Sequence, residues 1–586
     1  MSNDAGEDTA YEALLAKVDQ SDFGGAFRSV FLGDAIRHPL HVAKAGLDLS
    51  AGQAAVAARA AQRALGRGKA DPVAPEDNRF ADRTWQANPA FRTLAESYLS
   101  TVQWARQLVE TSHAPAVQRE KARFALDLML DALAPTNVPW MNPAVLKETF
   151  ETGGQSLIAG ASNFVDDLLH NGGRPRQVDA TSFSLGKNLA ATPGRVVMRN
   201  ALIELLMYEP QTDLVHAQPI MCSPPWINKY YIMDLAPGRS FIEYAVQHGF
   251  TVFCISYRNP DASMREVSWD DYLQLGLMAA LDQASIITGS PVVNIVGLCL
   301  GGTMSTIGLA HLAAKGKAER VGWMTVTNTL VDFSIPGNLG VFADRKSVAR
   351  LEKNMKQRGY LEASAMAQTF DWLRGNDLVW NYVINNWYMG KTPPAFDLLA
   401  WNGDSTNMPA AMHTQYLRAC YVDNLLIRPG AFQIAGTPID LRKIKQPMYV
   451  LGAENDHIAP WKGSYLTTQH VGGEVRYTLT SSGHVAGIVN PPGNPKAAFW
   501  TRPHANRGID AEAWRAGAER VSGSWWDDWV AWAAERSGEL VAPPRVPLGD
   551  PAPGSYAKGE TARLFEARSS ARRSQRARTG AAAKSS

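Results

Sequence analysis

Cys299 stands in the stretch Asn294-Ile295-Val296-Gly297-Leu298-Cys299-Leu300-Gly301-Gly302, an apolar run that ends in a glycine-flanked turn. A thiol there can serve as a nucleophile. Glycines on both sides relieve crowding at a sharp strand-to-helix turn, where one side chain is held out above a sheet in a strained backbone conformation. The same position opens a helix, whose N-terminal partial positive charge favours a thiolate. A cysteine after a Val-rich run also has the look of a small core residue, so the turn needs partners before it means chemistry.

Two downstream segments supply them. Gln446-Pro447-Met448-Tyr449-Val450-Leu451-Gly452 reads as a buried strand, and Ala453-Glu454-Asn455-Asp456-His457-Ile458-Ala459-Pro460 follows it, with Asp456 at its carboxyl end. Glu474-Val475-Arg476-Tyr477-Thr478-Leu479 reads as another strand, leading through Thr480-Ser481-Ser482-Gly483 to His484. Alone, such an Asp is a turn residue and such a His a solvated loop residue. On three strand ends in the order nucleophile, acid, histidine they match an α/β-hydrolase triad. His457 competes with His484 as the base, but its direct adjacency to Asp456 suits a turn or supporting role.

An acyl-transfer site also needs donors for the developing oxyanion. In this fold one comes from the residue after the nucleophile and one from the loop after the third strand. These expectations fall on the backbone N–H groups of Leu300 and of Ile227, in Ser223-Pro224-Pro225-Trp226-Ile227-Asn228-Lys229-Tyr230-Tyr231. Pro224 and Pro225 have no N–H to give.

The elements that must position these groups follow from patterning. Strand-like runs at Arg195–Met198, Ala201–Leu206, Pro219–Cys222, Phe250–Ser256 and Trp323–Thr327 alternate with helical patterns such as Tyr272–Thr288, which predicts a mostly parallel sheet covered on both faces. The fold class expected is α/β, an α/β-hydrolase fold with a cap insertion and a helical N-terminal domain. Residues 1–75 read as an Ala-rich helical segment ending in a linker, 76–190 as a helical domain, and 191–331 as the first part of the core. Residues 332–440 read as a cap, too long for an ordinary crossover, 441–542 as the second part of the core, and 543–586 as a Pro-rich linker and basic disordered tail. Trp525–Trp532 reads as an amphipathic helix whose tryptophans pack on the fold.

Composition bounds the function. A chain of 586 residues with 45% hydrophobic content can bury a large core, and 58 basic against 56 acidic side chains argue against a dedicated nucleic-acid binder. The four cysteines, Cys222, Cys254, Cys299 and Cys420, have no metal-ligand spacing and fit free thiols in a reducing cytoplasm. Neither a metal nor a resident cofactor is expected. The acidic N-terminus is the reverse of a secretory leader, and no apolar run is long enough to span a bilayer.

The residues resemble the polyhydroxyalkanoate synthases, more the long class I enzymes than the short ones that need a second subunit. The resemblance runs through Trp85 with Asn88-Pro89-Ala90-Phe91, Asp131 with Pro135-Thr136-Asn137 and Asn142-Pro143, and Asn188-Leu189-Ala190 with Thr192-Pro193-Gly194. It continues through Pro224–Tyr231, Tyr257-Arg258-Asn259-Pro260-Asp261, the Cys299 turn, Trp401-Asn402-Gly403-Asp404, Asp456-His457-Ile458 and Ser482-Gly483-His484-Val485-Ala486-Gly487. It implies a polymerase that transfers (R)-3-hydroxyacyl groups from coenzyme A, a substrate here rather than a cofactor, onto a growing polyester, with Cys299, Asp456 and His484 as the triad. It also implies a homodimer on polyester granules in the cytoplasm. Two other readings stand beside it: a cysteine-dependent esterase, thioesterase or intracellular polyester depolymerase, and a non-catalytic granule-associated scaffold.

Overall fold

The computed structural model describes residues 23–67, 73, 77–502 and 507–559. The expectations for the extreme N-terminus, most of the linker before residue 77 and the basic positions from Arg563 onward lie outside them. The chain divides into two compact units, one of residues up to Asp179 together with Gln368–Pro394, the other of Ala180–Ala367 with the residues from Ala395 onward.

The larger unit is built on a ten-stranded sheet. Its strands are β1 (Gly194–Arg199), β2 (Ile203–Tyr208), β3 (Ile220–Ser223), β4 (Val252–Tyr257), β5 (Asn294–Leu298), β6 (Met324–Thr327), β7 (Met448–Ala453), β8 (Val475–Thr480), β9 (Ala498–Thr501) and β10 (Glu519–Ser522). Their spatial order is β1-β2-β4-β3-β5-β6-β7-β8-β9-β10. The six strands from β4 to β8 in that order run parallel, and antiparallel pairs close both edges. Every residue of β3, β4, β5, β6 and β7 is buried, as a parallel sheet covered on both faces requires. The exchange of β3 and β4 puts β5 between two parallel neighbours, so the turn at its carboxyl end opens over the middle of the sheet. This is the mostly parallel sheet that the patterning predicts.

The helix Leu300–Ala314, which leaves that turn, is buried from Leu300 to Leu312. A helix apolar all round belongs inside a core. The helical stretch expected at Tyr272–Thr288 forms, with a π-helical first part at Tyr272–Met278 and an α-helical second part at Ala279–Thr288.

Near the end of the chain, the helix Trp525–Ala534 buries Trp525, Trp526, Trp529 and Trp532. Trp529 Nε1 donates to Thr325 Oγ1 on β6 at 2.9 Å. Trp525 and Trp526 donate to the carbonyls of Gly487 and Ile488 at 2.7 and 2.9 Å. Each buried indole contributes several kcal/mol, about 3–5 by the cost of truncating such side chains. The two carbonyls they hold belong to the loop that carries His484.

The chain beyond residue 542 departs from the expected linker. Val196 N–H donates to the Asp550 carbonyl at 2.8 Å and Ala552 N–H to the Gly194 carbonyl at 2.9 Å, so the segment runs along the free edge of β1. The buried Glu204 carboxylate of β2 then accepts from Ser555 Oγ at 2.6 Å and from the Tyr556 N–H at 3.0 Å. Pro-rich composition hides this role, because the segment is held by its backbone and by the need of a buried carboxylate for donors.

The other unit is helical. Pro39–Ala64 lies against Pro89–Glu110, with Trp104 Nε1 donating to the Ala45 carbonyl at 2.7 Å and Arg63 gripping Glu96 through two nitrogens at 3.0 and 3.1 Å. Ala116–Ala132, Pro143–Glu151 and Gln155–His170 complete it. The segment expected as one cap is divided, since Gln368–Pro394 belongs with these helices. A Cβ at Gly160 would come within 2.0 Å of the Trp387 carbonyl, and Trp387 Nε1 donates to the buried Asp167 at 2.9 Å. Among the described residues, no helix is long and apolar enough to cross a membrane.

Candidate active site

Cys299 sits at the start of its helix with φ 51° and ψ −119°, a left-handed conformation that costs a non-glycine residue strain. The surroundings fix it there. Its N–H donates to the Thr327 carbonyl at 2.9 Å, and its carbonyl accepts from Thr303 N–H at 3.0 Å and Thr329 Oγ1 at 3.1 Å. The flanking glycines are steric requirements. A Cβ at Gly297 would meet Gly302 Cα at 2.6 Å, and one at Gly301 would meet the Ser223 carbonyl oxygen at 2.0 Å. Of the four cysteines, all free, Cys222, Cys254 and Cys420 are buried and Cys299 alone is partly exposed.

His484 Nδ1 lies 2.6 Å from Asp456 Oδ2. The Asp456 side chain is wholly buried, and its other oxygen accepts from the N–H groups of Ile458 and Ala459, both at 2.8 Å. Burial by itself would push the His484 ring toward its neutral form. The Asp456 carboxylate, the charge on Cys299 and hydrogen bonds to both outweigh it, so the ring keeps its proton well above the usual 6.5. The expected residues Cys299, Asp456 and His484 therefore converge on one imidazole. His457 accepts through its carbonyl from Asn338 N–H at 3.1 Å.

Leu300 is the first helical residue after Cys299, where an N–H has no partner within its own helix. Ile227 lies partly buried in the loop after β3, packed against the core. That loop runs beside the elbow, as the clash of a Gly301 Cβ with the Ser223 and Pro224 carbonyl oxygens at 2.0 and 2.5 Å requires.

Further contacts at the site carry no signal in the local sequence pattern. Asn328, at φ 47°, donates through Nδ2 to Asp456 Oδ2 at 3.1 Å and to the His484 carbonyl at 2.7 Å. Tyr416 and Tyr421 from the insertion are buried with their hydroxyls 3.4 Å apart, and both feel the charge on Cys299. Thr406 Oγ1 donates to the Trp226 carbonyl at 2.6 Å and accepts from Asn228 N–H at 3.0 Å. Beside it Trp401 Nε1 reaches the Lys229 carbonyl at 2.8 Å and Tyr231 OH reaches Asp404 at 2.8 Å. The Trp401–Asp404 segment singled out in the sequence is thus half of a clamp on the loop that carries Ile227.

Residues 76–245 match the family described as the poly-beta-hydroxybutyrate polymerase (PhaC) N-terminus, and residues 233–491 match the alpha/beta hydrolase fold. Over 528 residues the chain is 42% identical to poly(3-hydroxyalkanoate) polymerase 2 of Ectopseudomonas oleovorans, covering 89% of this chain and 92% of that one. It belongs to the poly(3-hydroxyalkanoate) polymerase family. The polymerase subunit PhaC of Cupriavidus necator is 40% identical over 510 residues, which is 85% of this chain and 86% of its own. The polymerase of Methylorubrum extorquens is 42% identical over 493 residues, 83% and 81% of the two chains. Poly(3-hydroxyalkanoate) polymerases are acyltransferases, and the α/β-hydrolase core of this one carries a cysteine at its elbow.

Proposed function

We propose that this polymerase transfers (R)-3-hydroxyacyl groups from coenzyme A to a growing polyester through an acyl-Cys299 thioester. What carries the reading is the His484 ring between the Cys299 thiol and the Asp456 carboxylate, in a chain of this family. Cys299 Sγ attacks the thioester carbonyl of the acyl-CoA, and the bond to the CoA sulfur breaks. The proton held by His484 goes to the departing thiolate. One thioester replaces another, so the acyl enzyme is reactive rather than trapped.

In the second half a 3-hydroxyl group attacks the Cys299 thioester. His484 takes its proton, the new ester forms and the cysteine thiolate is released. The Leu300 and Ile227 N–H groups take the oxyanion in both halves. Asp456 orients His484: its Oδ1 is occupied by two backbone donors and its Oδ2 by His484 and Asn328, which leaves it poorly suited to take a proton from the hydroxyl itself.

The same reading has the protein as a homodimer attached to polyester granules. Phe150, Ile158 and Leu169 are 88%, 74% and 66% exposed on consecutive helices, which supports an apolar surface as partner. Dimerisation and granule binding both unchanged in a chain lacking residues 1–75 would exclude the N-terminal segment from either role.

The decisive assay follows free CoA and insoluble polyester together from (R)-3-hydroxybutyryl-CoA, with Cys299→Ala alongside. Both products are expected, and both are expected to vanish in the variant. Free hydroxyacid in place of polymer would mean that water is the acceptor and that the chain is a thioester hydrolase.

A further inference from the structure

Among the described residues, one cluster of three groups has the spacing of metal ligands, and it lies far along the chain from the triad: Asp34, His41 and His113. Asp34 is buried in the short helix Asp34–Arg37, His41 is in the first turn of Pro39–Ala64, and His113 follows the helix Pro89–Glu110. No metal is expected from the sequence, because the cysteines lack ligand spacing and these three residues come together only through the packing of the helices around them.

The hydrogen bonds around His41 decide its tautomer. Thr111 Oγ1 spends its single proton on the Gln107 carbonyl at 2.8 Å, so at 2.9 Å from His41 Nε2 it accepts. His41 Nε2 therefore carries the hydrogen, and the neutral ring presents the lone pair of Nδ1. That atom is buried without a hydrogen-bond partner, although Asp34 Oδ2 is only 3.2 Å away. In the neutral ring two acceptors thus face each other. His113 Nδ1 stands 3.6 Å from the same oxygen, and its backbone N–H donates to both Asp34 oxygens at 3.2 and 3.3 Å. The His38 ring stacks on His113 at 3.8 Å and holds it in place.

We propose that Asp34 Oδ2, His41 Nδ1 and His113 Nδ1 form a binding site for a divalent zinc-type cation. Ligand atoms at about 2.0–2.1 Å from a tetrahedral zinc stand about 3.3–3.4 Å apart, close to the separations of 3.2 and 3.6 Å around Asp34. Two imidazoles and a carboxylate suit zinc, cobalt or nickel better than magnesium or calcium. Thr111 is the outer partner that orients a ligating imidazole. His113 is 53% exposed, which gives the ion a way in and leaves a fourth position for water. Bound there, the ion ties the start of Pro39–Ala64 to the end of Pro89–Glu110.

The test uses the full-length chain without a polyhistidine tag, stripped with chelator. Zn2+ is titrated calorimetrically, Co2+ is followed by its visible absorption, and melting is recorded with and without Zn2+. One equivalent of Zn2+, a tetrahedral Co2+ spectrum and a raised Tm are expected. His41→Ala and His113→Ala are each expected to weaken binding about 10-fold or more, whereas His170→Ala, at an exposed histidine paired with Asp166, leaves it unchanged. His113 is half-exposed, so its variant retains the fold. Absence of stoichiometric binding to the unmodified chain would overturn the site, as would binding unchanged in both variants; Asp34 would then be only a hydrogen-bond staple.

Discussion

Asn328 Nδ2 donates to Asp456 Oδ2 at 3.1 Å, the same oxygen that faces His484. The amide also holds the His484 carbonyl at 2.7 Å, so one side chain fixes both the carboxylate and the loop that presents the imidazole. Asn328→Asp keeps the size and tolerates the positive φ, but it removes the donor and sets a like charge beside Asp456. A charge-assisted hydrogen bond is worth about 1.5–3 kcal/mol. The expected result is kcat for CoA release lower by about 10- to 100-fold with KM little changed.

The Thr406 clamp predicts a loop effect. Thr406→Val leaves the Trp226 carbonyl and the Asn228 N–H without their partner, each at a cost of about 1–3 kcal/mol. Thermal stability and kcat should fall together, and Thr406→Ser should restore both. A Thr406→Val enzyme with unaltered kcat would mean that the Ile227 loop holds its position unaided.

Asp234 gives a pH-dependent contribution to stability. Burial raises its carboxyl to about 6, against the opposing hydrogen bonds from Thr192 and Ser240. In the unfolded chain it titrates near 3.8. Between those values the native protein keeps a proton that the unfolded chain has released, so stability is greatest below 3.8 and declines as pH rises toward 6. The loss is about 3 kcal/mol at most. Asp234→Asn should flatten this part of the Tm profile, and an unaltered slope would assign the dependence to other groups.

The end of the chain supplies a truncation series. Removal of residues 560–586 leaves the Ser555 and Tyr556 hydrogen bonds to Glu204 in place and should preserve Tm. Removal of 543–586 strips these donors from a buried carboxylate and uncovers the edge of β1, so Tm should drop by several degrees. Glu204→Gln in the full chain would distinguish loss of the charge from loss of the segment.

The parts of this molecule that were legible in the sequence are those written in local pattern. Val252–Tyr257, Asn294–Leu298 and Met448–Ala453 are apolar runs ended by turn residues, and they form strands within two residues of where the runs place them. Asp456 and His484 were visible because each follows such a run. The roles of Asn328 and Thr406 were not, since they lie in partners more than a hundred residues away. The division of the insertion at Gln368–Pro394 was hidden for the same reason: Gly160 reads as an ordinary helical glycine until the Trp387 backbone is set against it. The Asp34 cluster combines residues that no single window of sequence contains.

The contact of residues 550–556 with β1 and β2 also sets an order of events during synthesis. Ribosomes deliver β1 and β2 early, with Arg199 already donating to Glu204, but the Ser555 and Tyr556 donors arrive only after nearly the whole chain has emerged. Until then the nascent polypeptide carries an open sheet edge, which is the kind of edge that pairs with other chains.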